Sequence, residues 1–238
     1  MLQTCHYGPV DIIQKWNDID TVDLVEHTQF MPQTRMDDLY AIAEERDGLL
    51  ASSDARALGI QDSVLVRLAQ RGRLERVGRG VYRIARYPPD RLAQYREAVM
   101  WAQASRGPER VALSHETALL LYGISDANPA QVHLTVPKSA RLRRERPDWV
   151  GIHRADLAPE EIGLHEGMPV TSVERSILDV LAETHRVDLA RKAITDARRE
   201  GLLSPAEASK LRRRVTRLVQ VTSLSAQGST VKLDGSTS

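Results

Sequence analysis

Between residues 72 and 84 the chain reads Gly72-Arg73-Leu74-Glu75-Arg76-Val77-Gly78-Arg79-Gly80-Val81-Tyr82-Arg83-Ile84. Two β-prone stretches, Leu74 to Val77 and Val81 to Ile84, flank Gly78-Arg79-Gly80, which predicts a hairpin with a glycine-permitted turn. Three short helical segments come directly before it. Thr34 followed by Asp37 can cap a helix whose Leu39, Ile42 and Ala43 fall at helical spacing, and Gly48 ends it. After the apolar stretch Leu49-Leu50-Ala51, Ser52 is the expected N-cap of a brief helix through Leu58, where Gly59 turns the chain. A third helix is predicted over 62–71. Val64, Leu65, Leu68 and Ala69 form its apolar stripe, and Gly72 stops it. Three short helices and a basic hairpin make a winged helix-turn-helix, assigned to residues 34–86.

Charge supports an anionic partner for this block. The chain of 238 residues is nearly neutral overall, with 33 basic and 32 acidic side chains, but the charges are segregated. Residues 1–45 hold two basic and nine acidic residues, whereas residues 67–86 hold seven arginines and only Glu75. Residues 191–217 are again basic, with nine basic and three acidic residues. Such asymmetry points to a polyanion or an acidic protein, with solvated helix faces as the plain alternative.

The remainder is read as a second, α+β domain over 88–219. An amphipathic helix is expected over 91–105, and a second over 114–123 with Ser114 as N-cap and Gly123 as stop. Strands are expected over 132–136, 150–153 and 168–171. A helix capped by Ser172 runs to Glu183, followed by helices over 187–200 and 205–219. The last opens with Ser204-Pro205-Ala206-Glu207, a capping box with proline at the first helical position. Residues 1–33 and 220–238 carry no sustained apolar face and are assigned to a disordered extension and a disordered tail. The fold class is therefore α+β, an N-terminal winged helix-turn-helix followed by a mixed α/β C-terminal domain.

Within these blocks, the run Gly48-Leu49-Leu50-Ala51-Ser52-Ser53-Asp54-Ala55-Arg56-Ala57-Leu58-Gly59-Ile60 and the hairpin sequence through Tyr82 resemble the N-terminal domain of AbiEi-family antitoxins. Ser114-His115-Glu116-Thr117-Ala118, His133-Leu134-Thr135-Val136-Pro137, His153-Arg154-Ala155-Asp156-Leu157 and Pro169 to Asp179 stand in that family's order. The resemblance implies a DNA-binding antitoxin that represses its own toxin-antitoxin operon and counteracts a nucleotidyltransferase-type toxin, directly or indirectly. The family often carries a small hydroxyl residue at the start of the third helix, where this chain has Gln61 followed by Asp62. The alternative is a stand-alone winged-helix transcription regulator with a ligand-sensing C-terminal domain.

The chemistry of the first block names the expected double-stranded DNA contacts. A helix entering the major groove meets base edges with its N-terminal residues, so Gln61, Ser63 and Arg67 are candidates for readout, with Arg71 beside them. Asp62 could accept from a cytosine amino group, or only complement the helix dipole. Arg73, Arg76, Arg79 and Arg83 on the hairpin are the expected phosphate contacts, with Arg79 at its tip. Arg76 and Arg83 could equally form a solvated face paired with Glu75. The operator is expected to contain inverted repeats, as dimeric readers commonly require.

Other chemistry is not expected. Cys5, the single cysteine, cannot close an internal disulfide and has no companion at metal-ligand spacing. Ser114, His115 and Glu116 are consecutive and point in different directions, and His133 and His153 sit one per strand, too sparsely for a metal site. No catalytic residue, metal or cofactor is therefore assigned, and the chain is read as a binding protein. No apolar run approaches the roughly 20 residues that span a bilayer, and a cytoplasmic location is expected.

Overall fold

The computed structural model describes residues 33–88, 90–103, 110–142 and 145–228. Residues 1–32 of the expected N-terminal extension, the side chains of Gln33 and Thr34 and the last ten residues of the expected tail lie outside the described residues.

Helix α1 (Gln33–Glu44) leads through a turn to strand β1 (Leu49–Ala51) and helix α2 (Ser52–Ala57). The turn is tight at Gly48, whose φ is 81°, and a Cβ there would fall into the Tyr87 ring, so only glycine fits. Ser52 is not the N-cap the sequence suggested. Ala51 holds that position, and its N–H donates to the Asp54 carboxylate at 2.8 Å, which leaves Ser52 buried in the first turn. Helix α3 (Asp62–Gln70) follows, then strands β2 (Leu74–Gly78) and β3 (Val81–Ile84).

Leu49–Ala51, read only as an apolar stretch, pairs antiparallel with β3 and makes a three-stranded sheet of order β1-β3-β2. Alternation along the strands gives this sheet two unlike faces. Leu50, Leu74, Tyr82 and Ile84 pack on Leu39, Ala43, Ala55, Ile60 and Leu65 of the helical side. On the opposite face, Leu49 and Val81 pack with Val77 and with Met100 of helix α4 (Ala93–Gln103).

The second sheet has five strands: β4 (Ala112–Leu113), β5 (Val132–Val136), β6 (Val150–Arg154), β7 (Ile162–His165) and β8 (Met168–Thr171), in the order β6-β5-β4-β8-β7. The β5–β6 and β4–β8 pairs are parallel, and the β4–β5 and β7–β8 pairs are antiparallel. Strand β7 was not expected. Its Gly163 and exposed Leu164 lack a buried alternation, and it holds its place by the tight hairpin with β8.

One face of this sheet, with Val132, Leu134 and Val136, packs under α4 through Val99, Trp101 and Ala102. A separate cluster joins helices α5 (His115–Leu121), α6 (Val173–Thr184), α7 (Val187–Arg199) and α8 (Pro205–Gly228). The expected caps of α6 and α8 are present. Ser172 Oγ accepts the Arg175 N–H at 3.3 Å, Ser204 N–H donates to Glu207 at 2.8 Å, and Glu207 N–H donates to Ser204 Oγ at 3.2 Å. Helix α8 continues to Gly228, so the tail expected from residue 220 begins as helix.

Helix α4 is the seam between the blocks. Its Glu97 forms a largely buried ion pair with Arg83 of β3, and its Arg96 bonds Asp47 at 2.9 Å and Asp90 at 2.8 Å. Glu97→Ala is expected to lower unfolding stability by about 2–3 kcal/mol, because it strands the Arg83 guanidinium on a covered sheet face. Urea denaturation checks this, and Glu97→Gln should lose less, because it keeps an acceptor.

Candidate functional site

Helix α3 presents two contrasting faces. Leu65 is fully buried and Val64, Leu68 and Ala69 are half-buried against the core, while Gln61, Asp62, Ser63, Val66, Arg67 and Gln70 are exposed. Gln61 sits at the exposed N-cap position but makes no side-chain cap; its Oε1 instead accepts the Ser63 hydroxyl at 3.5 Å, a long contact that a base edge can replace. Asp62 does more than complement the helix dipole: its carboxylate bonds Arg56 Nε of α2 at 3.1 Å, bracing the turn between the two helices. Val66 was not singled out from the sequence. At 42% exposure it stands in the middle of the outward face, one turn beyond Asp62 and Ser63. A periodicity argument could have found it, since the apolar stripe already accounts for positions 64, 65, 68 and 69.

The expected contact residues of the hairpin divide. Arg76 and Arg79 are exposed, and Arg79 occupies the tip beside Gly80, whose φ is 76°. Arg71 is exposed just after α3, and Gly72 carries the chain directly into the hairpin. Arg73 is half-buried and lies near the Tyr40 hydroxyl, whose pKa burial pushes up while Arg73 opposes that shift. Arg83 is a correction. It lies opposite Glu75 in the register, on the face covered by α4, and its guanidinium is held by Glu97 instead of facing outward. Gln61, Ser63, Arg67 and Arg71 thus share α3 and its end, with Arg76 and Arg79 on the adjoining hairpin.

The second basic region is partly committed elsewhere. Lys192 and Arg199 bind the buried Asp196 carboxylate at 3.1 Å each, and Arg214 binds Glu174 at 2.8 Å. Asp196 also accepts the Ser125 N–H at 3.0 Å, so these charges hold a loop.

His133 and His153, read from the sequence as one per strand and too sparse for a metal site, are brought together with His115 by the fold. Because β5 and β6 pair in parallel, His133 stands opposite Gly151 and Thr135 opposite His153, all on one sheet face. The start of α5 brings His115 onto that face. The His115 and His153 rings stack with centroids 3.6 Å apart, and His133 Nδ1 lies 2.8 Å from His153 Nε2. Glu183, at the end of α6, closes the group: its Oε2 is 3.5 Å from His115 Nε2 and 3.6 Å from His153 Nδ1. Burial, reinforced by His153, His133 and Arg175, pushes the His115 pKa down to about 3, so its ring is neutral at pH 7. The missing signal was the strand register, which no local pattern encodes.

Residues 37–85 match the family model described as transcriptional regulator, AbiEi antitoxin. No curated protein matches the chain. Among solved structures, the chain is similar to the crystal structure of the RV2827C protein from Mycobacterium tuberculosis, with 13% sequence identity, a TM-score of 0.49, and coverage of 81% of this chain and 78% of that one. No described helix is long and apolar enough to cross a membrane.

Proposed function

We propose that this chain is a DNA-binding antitoxin in which α3 enters the major groove and the hairpin holds the flanking phosphates. On this reading it represses its own toxin-antitoxin operon and counteracts a nucleotidyltransferase-type toxin. One observation carries the DNA half: the face of α3 opposite its buried apolar stripe offers Ser63, Val66 and Arg67, with the exposed Gln61 at its N-cap and the exposed Arg76 and Arg79 on the hairpin that follows. Each residue has a chemical part. Gln61 suits the adenine edge, Arg67 suits guanine bidentately, and the Val66 methyl groups suit a thymine methyl. Arg76 and Arg79 neutralise phosphates and set the register without reading sequence. The AbiEi match over this block supports the antitoxin half, as a coarse assignment to regulators of that kind. The assignment is to a binding protein and not to an enzyme.

The test is binding of the purified chain to its own upstream DNA against scrambled DNA at two salt concentrations. Specific, salt-sensitive binding is expected, and Arg67→Ala should cost about 1–3 kcal/mol on the specific site only. Equal affinity for both DNAs at both salts overturns the assignment. Val66→Ser is expected to weaken specific binding by about 1 kcal/mol, roughly fivefold, while scrambled DNA is bound as before, since apolar contact reads the base and not the phosphate. The toxin half is tested by co-expression with a neighbouring nucleotidyltransferase gene: rescue of growth supports it, and growth arrest despite expression of the chain removes it.

A further inference from the structure

From the convergence of three donors at the edge of the second sheet, we infer that His115 Nε2, His153 Nδ1 and Glu183 Oε2 form a binding site for a divalent transition-metal cation of the zinc type. The three come from different elements, the start of α5, strand β6 and the end of α6, and their ligand atoms all lie within 4.8 Å of one another. A tetrahedral centre with ligands at about 2.0–2.2 Å has edges of about 3.3–3.6 Å. Glu183 Oε2 stands at that spacing from both histidine nitrogens, 3.5 and 3.6 Å. These distances are too long for a good hydrogen bond and right for two donors sharing an ion. Two imidazoles and one carboxylate are a ligand set of borderline softness, suited to zinc and its neighbours and ill suited to calcium or magnesium.

The surroundings of the donors are those of a metal centre. Metal-binding imidazoles keep their second nitrogen in a hydrogen bond that fixes ring and tautomer. His115 Nδ1 lies 2.9 Å from Ser114 Oγ, which in turn accepts from Thr135 Oγ1 at 2.7 Å. That arrangement lets His115 donate through Nδ1 and leaves the lone pair of Nε2 toward Glu183. His153 Nε2 is held by His133 Nδ1 at 2.8 Å. Gly151 makes room for this second ring, since a Cβ there would lie 3.0 Å from His133 Nδ1. His115 is also held at φ 54°, a conformation that L residues seldom take and that clusters at functional sites. The Glu183 side chain is 47% exposed, so an ion can enter from solvent. Coordination requires the two stacked rings, now 20° from parallel, to splay toward a common point. The bound ion would tie the end of α6 to edge strand β6.

The experiment is equilibrium dialysis of the full chain, stripped with a chelator, against Zn²⁺ alone, with metal counted per chain and thermal unfolding followed in parallel. One equivalent and a raised Tm are expected. Glu183→Gln, at an exposed helix end, and His153→Asn should each remove the equivalent and the rise in Tm, whereas Cys5→Ser should keep both. His133→Asn should keep the stoichiometry and weaken affinity about 10- to 100-fold, the effect of losing an orienting partner. Co²⁺ added to the unaltered chain should give the visible absorption of a tetrahedral site, which needs no variant to fold. Failure of the unaltered chain to hold an equivalent, or full retention of zinc in both Glu183→Gln and His153→Asn, overturns the site.

Discussion

Alanine at Arg67, Arg71, Arg76 and Arg79 together is expected to lower affinity for the chain's own upstream DNA about a thousandfold while leaving its unfolding transition in place. All four side chains are exposed, and no salt bridge among the described residues engages them, so their removal takes nothing from the core. Each phosphate neutralised by a cation releases condensed counterions, so with Arg67 reading a base and Arg71, Arg76 and Arg79 on phosphates the slope of log K against log salt should become shallower by about 2 to 3. At about 1 kcal/mol per contact, the sum of about 4 kcal/mol is three decades of affinity. Arg83→Ala provides the contrast. Its partner is Glu97 on α4, so it should shift the unfolding transition and leave the salt slope as it was. An unchanged slope in the fourfold variant would remove the hairpin from the interface.

That division among the arginines marks the limit of what the sequence made legible. Elements set by near neighbours were readable: Gly48, Gly59 and Gly72 punctuate the three short helices, and the capping box of Ser204 and Glu207 starts α8 where expected. Elements set by distant partners were not. Strand β1 is three residues long and exists because β3, some thirty residues onward, supplies its ladder. Alternation along β3 puts Arg83 on the face opposite Tyr82, but nothing local says that α4 covers that face. The same holds for the histidines. His115, His133, His153 and Glu183 are spread along the chain, and the parallel β5–β6 register with the α5–α6 packing makes them neighbours. Interface residues on one helix follow from a period of 3.6, whereas a site built across a sheet follows from topology.

The histidine group is also expected to make the metal-free protein less stable in acid. In the unfolded chain His115 takes up a proton near its ordinary value of 6.5, whereas in the folded chain it stays neutral down to about pH 3. The causes are burial first, then the positive charge that His153, His133 and Arg175 would oppose to it. Glu183 works the other way at His153 and His133, where its charge partly offsets a downward shift that burial still dominates. A depressed histidine pKa means that below pH 6.5 the unfolded state binds a proton that the folded state refuses. Stability is thus full above that value and is lost as pH falls through it, at about 1.4 kcal/mol per pH unit. Between neutral pH and about pH 4.5 His115 alone should cost about 3 kcal/mol, a large share of an ordinary domain's margin. Urea unfolding in the presence of chelator checks this, comparing the unaltered chain with His115→Gln. The variant should lose about 3 kcal/mol less over the same interval, whatever its stability at neutral pH, because the comparison is a difference of differences. Proton resonances of the His115 ring provide the direct reading: they should stay at neutral-imidazole positions through pH 5, and a midpoint near 6.5 would show that the ring is solvated and the cluster open.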